Sequence, residues 1–149
     1  MAATLTSILL HITYSTKHRQ PLIPDSVLPD LFAYTGGICR DCNSPLLHGG
    51  GVADHVHLLV SLNKTLAVSE LMQNIKRGSS AWLKQSQGIS AFSWQDGYFA
   101  FSVSHDHVPA VRAYLDNQAA HHATTDFQEE VLAFLKKYEI SFDAKYLWD

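Results

Sequence analysis

The sequence predicts an α+β fold, with one antiparallel sheet, helices on one of its faces, and further helices at the C-terminal end. Three observations carry this reading. Residues 4–16 alternate with period two, and an apolar run of strand length follows at 56–62. Apolar stripes at helical spacing cover 27–34 and 68–83. An aromatic-rich, strand-like run then closes the series at 92–103. With a short strand at 45–48, the order is β-α-β-β-α-β followed by two helices. That is the split βαβ, ferredoxin-like (RRM-like) arrangement, with the third strand central and one sheet face open for a site.

The elements follow from local chemistry. In the first strand Ile8, Leu10, Ile12 and Tyr14 share one face, and Leu9, His11 and Thr13 the other. Lys17, His18 and Arg19 form a small basic cluster at its end, a solvated loop unless an active site lies nearby. Pro24-Asp25-Ser26 opens a helix in which Pro29 is tolerable near the start, and Gly36-Gly37 is expected to end or loosen it. Gly49, Gly50 and Gly51 then predict a tight bend or bulge before the next strand. The helix over 69–83 buries Val68, Leu71, Met72 and Ile75 and carries Lys76, Arg77 and Lys84 on its other face. Phe99, Phe101 and Val103 share a strand face, and core packing is the ordinary fate of so many aromatics in one run. Pro109 opens a helix expected to continue through His122. Thr125 or Asp126 caps a last helix with the stripe Phe127, Val131, Phe134, Leu135 and Tyr138. Its Glu129 and Glu130 suit the N-terminal end of the helix dipole, and it reads as a packing or dimerisation element.

Composition narrows the function. The chain has 149 residues, 46% apolar and 17% charged, which suits one globular domain, 1–149, divided into a 1–107 core and a 108–149 C-terminal part. Its longest apolar stretches are too short to span a bilayer, and its start lacks a signal-peptide pattern, so a cytoplasmic protein is expected. Cys39 and Cys42 lack the second pair that a structural zinc site needs and read as two reduced thiols. The net charge of −3 speaks mildly against a nucleic-acid binder. Its distribution weakens that objection. Residues 1–112 hold eight Lys/Arg against seven Asp/Glu, whereas 113–149 hold three against seven, so the acidity is C-terminal.

Two constellations carry chemistry. In Asp54-His55-Val56-His57-Leu58-Leu59-Val60, strand alternation puts His55 and His57 on one face, half of a divalent metal site. On the helix after Pro109, at about 100° per residue, Tyr114, Gln118 and His121 fall on one narrow stripe. The ordinary readings are two polar residues on a solvated sheet face and a surface tyrosine with an amide one turn on. A histidine-triad hydrolase is disfavoured, because Leu59 stands where a third alternating histidine is needed.

Together these residues resemble a known family, the small single-tyrosine HUH transposases of bacterial and archaeal insertion sequences, which include the REP-associated tyrosine transposases. The resemblance rests on His55-Val56-His57 and on Tyr114 to Gln118, in the right order and separated by the right elements. It extends to Thr13–Arg19, Ile75–Ser80, Trp94–Phe99 and the tail around Asn117-Gln118, His121-His122 and Phe127–Glu130, so it covers nearly the whole chain. It implies that His55, His57 and Gln118 hold one Mg²⁺ or Mn²⁺, and that Tyr114 attacks a phosphate of single-stranded DNA at hairpin-bearing element ends. The product would be a 5′-phosphotyrosine and a free 3′-hydroxyl. It also implies a homodimer whose tyrosine helix can face either subunit's histidines. Lys17, Arg19, Lys76, Arg77 and His121 are the expected DNA contacts. His105-Asp106-His107 and the two cysteines fall outside the family's pattern. The competing reading is a catalytically idle or host-recruited single-stranded nucleic-acid-binding protein of the same fold. A replication or mobilisation initiator of the wider class would need a longer chain.

Overall fold

The structure is a computed structural model that describes residues 2–148. Its centre is a four-stranded antiparallel sheet in the order β2-β3-β1-β4, formed by β1 (Leu9–Ser15), β2 (Leu46–Val52), β3 (His55–Ser61) and β4 (Phe99–Val103). Helices α1 (Leu28–Asp41) and α2 (Val68–Gln85) cover one face. This is the expected α+β arrangement, with the histidine strand β3 between β2 and β1. Leu10, Ile12 and Tyr14 of β1 and Val56, Leu58 and Val60 of β3 point into the core beneath the helices, against Leu31, Leu71, Ile75 and Leu83. Full burial of such side chains stabilises by roughly 1.5–3 kcal/mol each, which fixes the register. Thr13 then stands opposite His57, and Ser15 opposite His55.

Three expectations about glycines and helix ends need correction. Helix α1 runs straight through Gly36 and Gly37. Leu31, Thr35 and Cys39 on either side are buried against the core, and that packing outweighs a helix cost of about 1 kcal/mol per glycine. Gly49, Gly50 and Gly51 are not a bend; they lie within β2, and the irregularity falls earlier, between Leu46 and His48. The helix after Pro109 is not continuous either. It divides at Asn117 into α3 (Val108–Asp116) and α4 (Gln118–His121), Asn117 N–H being shared between the Ala113 and Tyr114 carbonyls.

The aromatic run is strand only over Phe99–Val103. Before it, Phe92 and Trp94 enter the core, and Trp94 Nε1–H donates to Ser79 Oγ at 3.0 Å. Cys39 and Cys42 are free thiols at the end of α1, and burial pushes Cys39 up to about 12. Lys76 of α2 is half-buried and donates to the Gln95, Asp96 and Gly97 carbonyls, holding this loop against the helix. Lys76→Met should therefore lower stability by about 1–2 kcal/mol in a urea melt, because it strips the loop of these charge-assisted bonds. An unchanged midpoint would show that solvent satisfies the three carbonyls equally well.

The other sheet face meets the C-terminal helices. α5 (Phe127–Lys137) is capped by Asp126, whose Oδ1 accepts from Glu129 N–H at 2.8 Å. Its Phe127, Val131 and Leu135 pack with Phe101 of β4. No helix among the described residues is long and apolar enough to cross a membrane.

Candidate active site

The site lies between the open face of the sheet and the C-terminal helices, where β3, α3, α4 and α5 each contribute a side chain. His55 and His57 are fully buried on that face. Gln118, at the start of α4, brings its Oε1 to 3.4 Å from His55 Nε2. Two further residues, quoted in the sequence as part of the resemblance and of the C-terminal helices but not as site residues, complete the cluster: His122 just after α4 and Glu130 on α5. One ligand atom from each of His55, His57, His122 and Glu130 falls within 4.8 Å of all the others, a set that could hold a metal ion.

The hydrogen bonds around the rings favour that use. His55 Nδ1–H donates to Asp54 Oδ1 at 2.6 Å, and His122 Nδ1–H donates to the Thr125 carbonyl. Both acceptors lack a proton to give, so Nδ1 carries a hydrogen in each ring and Nε2 is the atom turned inward. Those two Nε2 atoms lie only 3.0 Å apart. His57 follows the same pattern, with Nδ1 facing His11 Nε2 at 2.8 Å and Nε2 facing Glu130 Oε1 at 2.9 Å. That last approach is off the line of a hydrogen bond, leaving both atoms buried without a hydrogen-bond partner. Lone pairs converging at such distances repel unless a proton or a cation lies among them. Outer hydrogen bonds on each Nδ1 and free Nε2 atoms inside are what metal-ligating histidines show. The buried, orphaned pair fits a divalent cation. Three imidazoles with one carboxylate suit Mn²⁺ better than Mg²⁺, which favours oxygen.

Electrostatics are set by burial and by two carboxylates, Glu130 within the cluster and Asp54 beside His55. Burial alone would raise the Glu130 carboxyl, but contacts with His122, His55 and His57 prevail and hold it far below the usual carboxylate range. Burial pushes His57 down to about 4, against the pull of Glu130. His55 is also buried, yet its bonds to Asp54 and Glu130 prevail and raise it. Burial and the neighbouring His57 push His11 down to about 3, so it serves as a neutral support for the His57 ring.

Tyr114 of α3 stands beside this cluster in the same chain. Its hydroxyl donates to Glu130 Oε2 and lies 3.4 Å from His121 Nε2. Burial, and then the bond to Glu130, raise the phenol above its ordinary value. Glu130 thus presents Oε1 to His55 and His57, and Oε2 to the tyrosine and to His122. His121, by contrast with His122, is about a third exposed and reaches Glu130 Oε2 at 3.3 Å.

α3 reaches the sheet through β2. His48 Nε2–H donates to Asp116 Oδ1 at 2.6 Å, and Arg112 lies 3.3 Å from the other nitrogen of the same ring. Gly50 sits directly beneath Leu115, and a Cβ there would lie 2.0 Å from the Leu115 carbonyl oxygen. Of the expected DNA contacts only His121 adjoins this cluster; the others are placed apart from it. Lys17 pairs with the exposed Asp96 at 3.2 Å, and His18 and Arg19 adopt φ near 56° in a tight turn. Arg19 lies over the Trp148 ring, 5.7 Å from its centroid. Lys76 is bound to its three carbonyls, whereas Arg77 lines an open hollow between α2 and the 94–98 loop. His105 and His107 form an exposed turn before α3.

Signals for the missed residues existed. Tyr114, Gln118 and His122 form an i, i+4, i+8 ladder along the helix read from Pro109. Glu130 lies three residues after Phe127 and four before Phe134, so it interrupts the apolar stripe of the last helix. A carboxylate in that position must be buried, and a buried carboxylate needs cationic partners.

Fold and site define an α+β protein with a candidate metal centre and an adjoining tyrosine on the open sheet face. Residues 4–118 match the family model described as "Transposase IS200 like". The chain belongs to that IS200-like transposase family. Among solved structures it is similar to a candidate transposase from Deinococcus radiodurans R1, at 18% identity and a TM-score of 0.61, covering 79% of this chain and 95% of the other. It is also similar to a REP-associated tyrosine transposase bound to a REP hairpin, at 12% identity and a TM-score of 0.62, covering 84% and 74%. At those identities the likeness establishes the fold. No curated protein matches. The family match stops at Gln118, short of His122 and Glu130.

Proposed function

We propose that this transposase cuts and rejoins single-stranded DNA at hairpin-bearing element ends, with Tyr114 as nucleophile and a divalent metal, Mn²⁺ or Mg²⁺, as cofactor. One observation carries the reading: Glu130 bonds the Tyr114 hydroxyl with one oxygen while its other faces His57 within the histidine cluster. A phenol and a cation seat joined by one carboxylate are what tyrosine attack on a phosphodiester requires.

His55, His57 and Glu130 would hold the metal, with His122 and the Gln118 amide oxygen as the remaining donors, and when bound it would polarise the scissile phosphate. Asp54, His11 and the Thr125 carbonyl keep the three rings turned inward. Tyr114 Oη attacks phosphorus, the bond from phosphorus to the 3′-oxygen breaks, and the 5′-phosphate stays on the tyrosine. Glu130 Oε2, which already accepts the phenolic hydrogen, takes that proton, and the departing 3′-oxygen takes one from water to leave as a hydroxyl. Phenol is far more acidic than an alkyl alcohol, so the reverse attack by a 3′-hydroxyl expels tyrosine readily, and rejoining needs no ATP.

Lys17, Arg19, Arg77, His121 and the half-buried Lys76 remain the proposed contacts to the strand. A homodimer acting in the cytoplasm also belongs to this reading. This reading takes each Tyr114 with the histidines of its own chain, beside which it lies.

The test uses hairpin-bearing single strands copied from the DNA flanking the gene, with Mn²⁺ and a denaturing gel. Wild type should form a covalent protein–DNA adduct, and Tyr114→Phe should form none. An adduct that survives Tyr114→Phe would overturn the nucleophile. Tight DNA binding without any adduct would favour the idle binding module instead.

A further inference from the structure

Resting on the reading of Tyr114 as the nucleophile, we propose that the hollow on the far side of its ring is a nucleobase subsite. There one base flanking the scissile phosphate stacks against α5, and Lys137 contacts the strand's phosphates.

Two hollows meet at Tyr114. One, of about 280 Å³, lies on the Glu130 side. The other, of about 410 Å³, lies between β1, the end of β4, α3 and α5. Phe134 and Lys137 line both and form the rib between them. A strand that crosses this rib brings a phosphate to the Tyr114 hydroxyl and lays its neighbouring nucleotides over the two hollows.

The larger hollow has the chemistry of a base site. Phe134 stacks on Phe101 with centroids 5.2 Å apart, and Tyr138 stacks on the same Phe101 at 4.8 Å, so a single buried ring backs both outer aromatics. Phe134 also meets the His11 ring edge-on at 5.2 Å. Rings held this way offer a flat heterocycle a fixed stacking surface at little entropic cost. Ser102 and Ser104 at the end of β4 supply polar groups for a base edge. The volume falls in the range of small-ligand pockets, enough for one base and far too little for a duplex. Lys137 sits 5.6 Å from the Tyr138 centroid, a cation beside the stacking platform. Aromatic walls, polar edge groups and a lysine at the rim match a single-stranded nucleotide better than an apolar ligand.

Phe134 and Lys137 of α5, and Tyr138 just past its end, follow Glu130 by four, seven and eight residues. The helix that supplies the carboxylate therefore also supplies the platform, which ties recognition of the base to the position of the nucleophile.

The test is independent of the target sequence. Oligothymidylate carrying 4-thiothymidine is irradiated with metal-free Tyr114→Phe protein, and the crosslinked residues are mapped by mass spectrometry. Crosslinks should concentrate in residues 134–138 and fall at least about fivefold in the added Tyr138→Ala background, as loss of one stacking partner implies. Lys137→Ala should weaken oligothymidylate binding about threefold by fluorescence anisotropy and flatten its salt dependence. Crosslinks confined to other surfaces, such as the hollow beside Arg77, would overturn the subsite. So would a map and affinity indifferent to both substitutions. Should Tyr138→Ala fail to fold, the map on the Tyr114→Phe protein alone decides. No adduct chemistry enters these measurements, so failure of the nuclease reading and failure of the subsite are told apart.

Discussion

Glu130→Ala is expected to lower Mn²⁺ affinity by about a hundredfold or more, read by titration calorimetry or by the electron spin resonance of free Mn²⁺. The carboxylate is the only negatively charged group among the four clustered donors, and its Oε1 faces His57 Nε2 at 2.9 Å. Without it, a dication would face neutral imidazoles alone in a buried site, and the Coulomb attraction that offsets its dehydration is lost. Glu130→Gln keeps the shape and one oxygen donor but not the charge, and should fall between wild type and alanine. Either change also removes the acceptor of the Tyr114 hydroxyl, so adduct formation should fall further than metal occupancy explains.

The companion variant is Gln118→Ala. The family resemblance points to Gln118 as the third ligand, whereas the geometry brings His122 and Glu130 closer to the histidine pair. Gln118 Oε1 stands 3.4 Å from His55 Nε2, and its amide nitrogen donates to the Tyr114 carbonyl one turn back. A neutral amide at the edge of the cluster should matter less, and Gln118→Ala should weaken Mn²⁺ binding by about tenfold or less. If Gln118→Ala cost as much as Glu130→Ala, the amide would rank beside the carboxylate. If Glu130→Ala bound Mn²⁺ like wild type, the carboxylate would serve the tyrosine alone.

The difference between what the chain announces and what only the fold shows has physical causes. The sheet, its order and the side of β3 on which His55 and His57 lie follow from period-two burial, a signal local to one strand. The spacing of Tyr114 and Gln118 is equally local, and it survives the break at Asn117 that puts them on α3 and α4. Glu130 carries a local signal, an acid inside the apolar stripe of the last helix, but its place in the first turn, where the dipole favours an acid, masks it. Which residues it meets depends on α5 folding back onto the sheet, a contact with no local signature. His11 is the same kind of case, since its role exists only through the register that places His11 and His57 on adjacent strands of one face. The glycines failed for the opposite reason. Propensity places them in bends, while the sheet uses them where another backbone comes close.

Gly50 is the sharpest instance, and Gly50→Ala is expected to cut adduct formation at least about a hundredfold while the α1–α2 side of the sheet stays folded. The added Cβ would lie 2.0 Å from the Leu115 oxygen, 2.7 Å from its carbonyl carbon and 3.1 Å from its Cα. All three are backbone atoms, so no side chain can swing away, and α3 itself must move. Overpacking of this kind costs about 1–3 kcal/mol, which the molecule can avoid by lifting α3 off β2. Tyr114 directly precedes Leu115, so lifting the helix draws its hydroxyl from Glu130 and the histidine cluster. A misplacement of about 1 Å suffices for a hundredfold loss when a nucleophile must meet phosphorus in line. Mn²⁺ binding should suffer much less, because His55, His57 and Glu130 lie on β3 and α5. Gly37→Ala is the control. Its Cβ would meet nothing within 4 Å, and alanine in mid-helix should raise stability by about 0.5–1 kcal/mol with cleavage unchanged. Wild-type cleavage and melting in Gly50→Ala would mean that α3 does not rest on its own β2 in solution. The tyrosine would then reach the histidines by another route, such as exchange of α3 with a second copy of the chain.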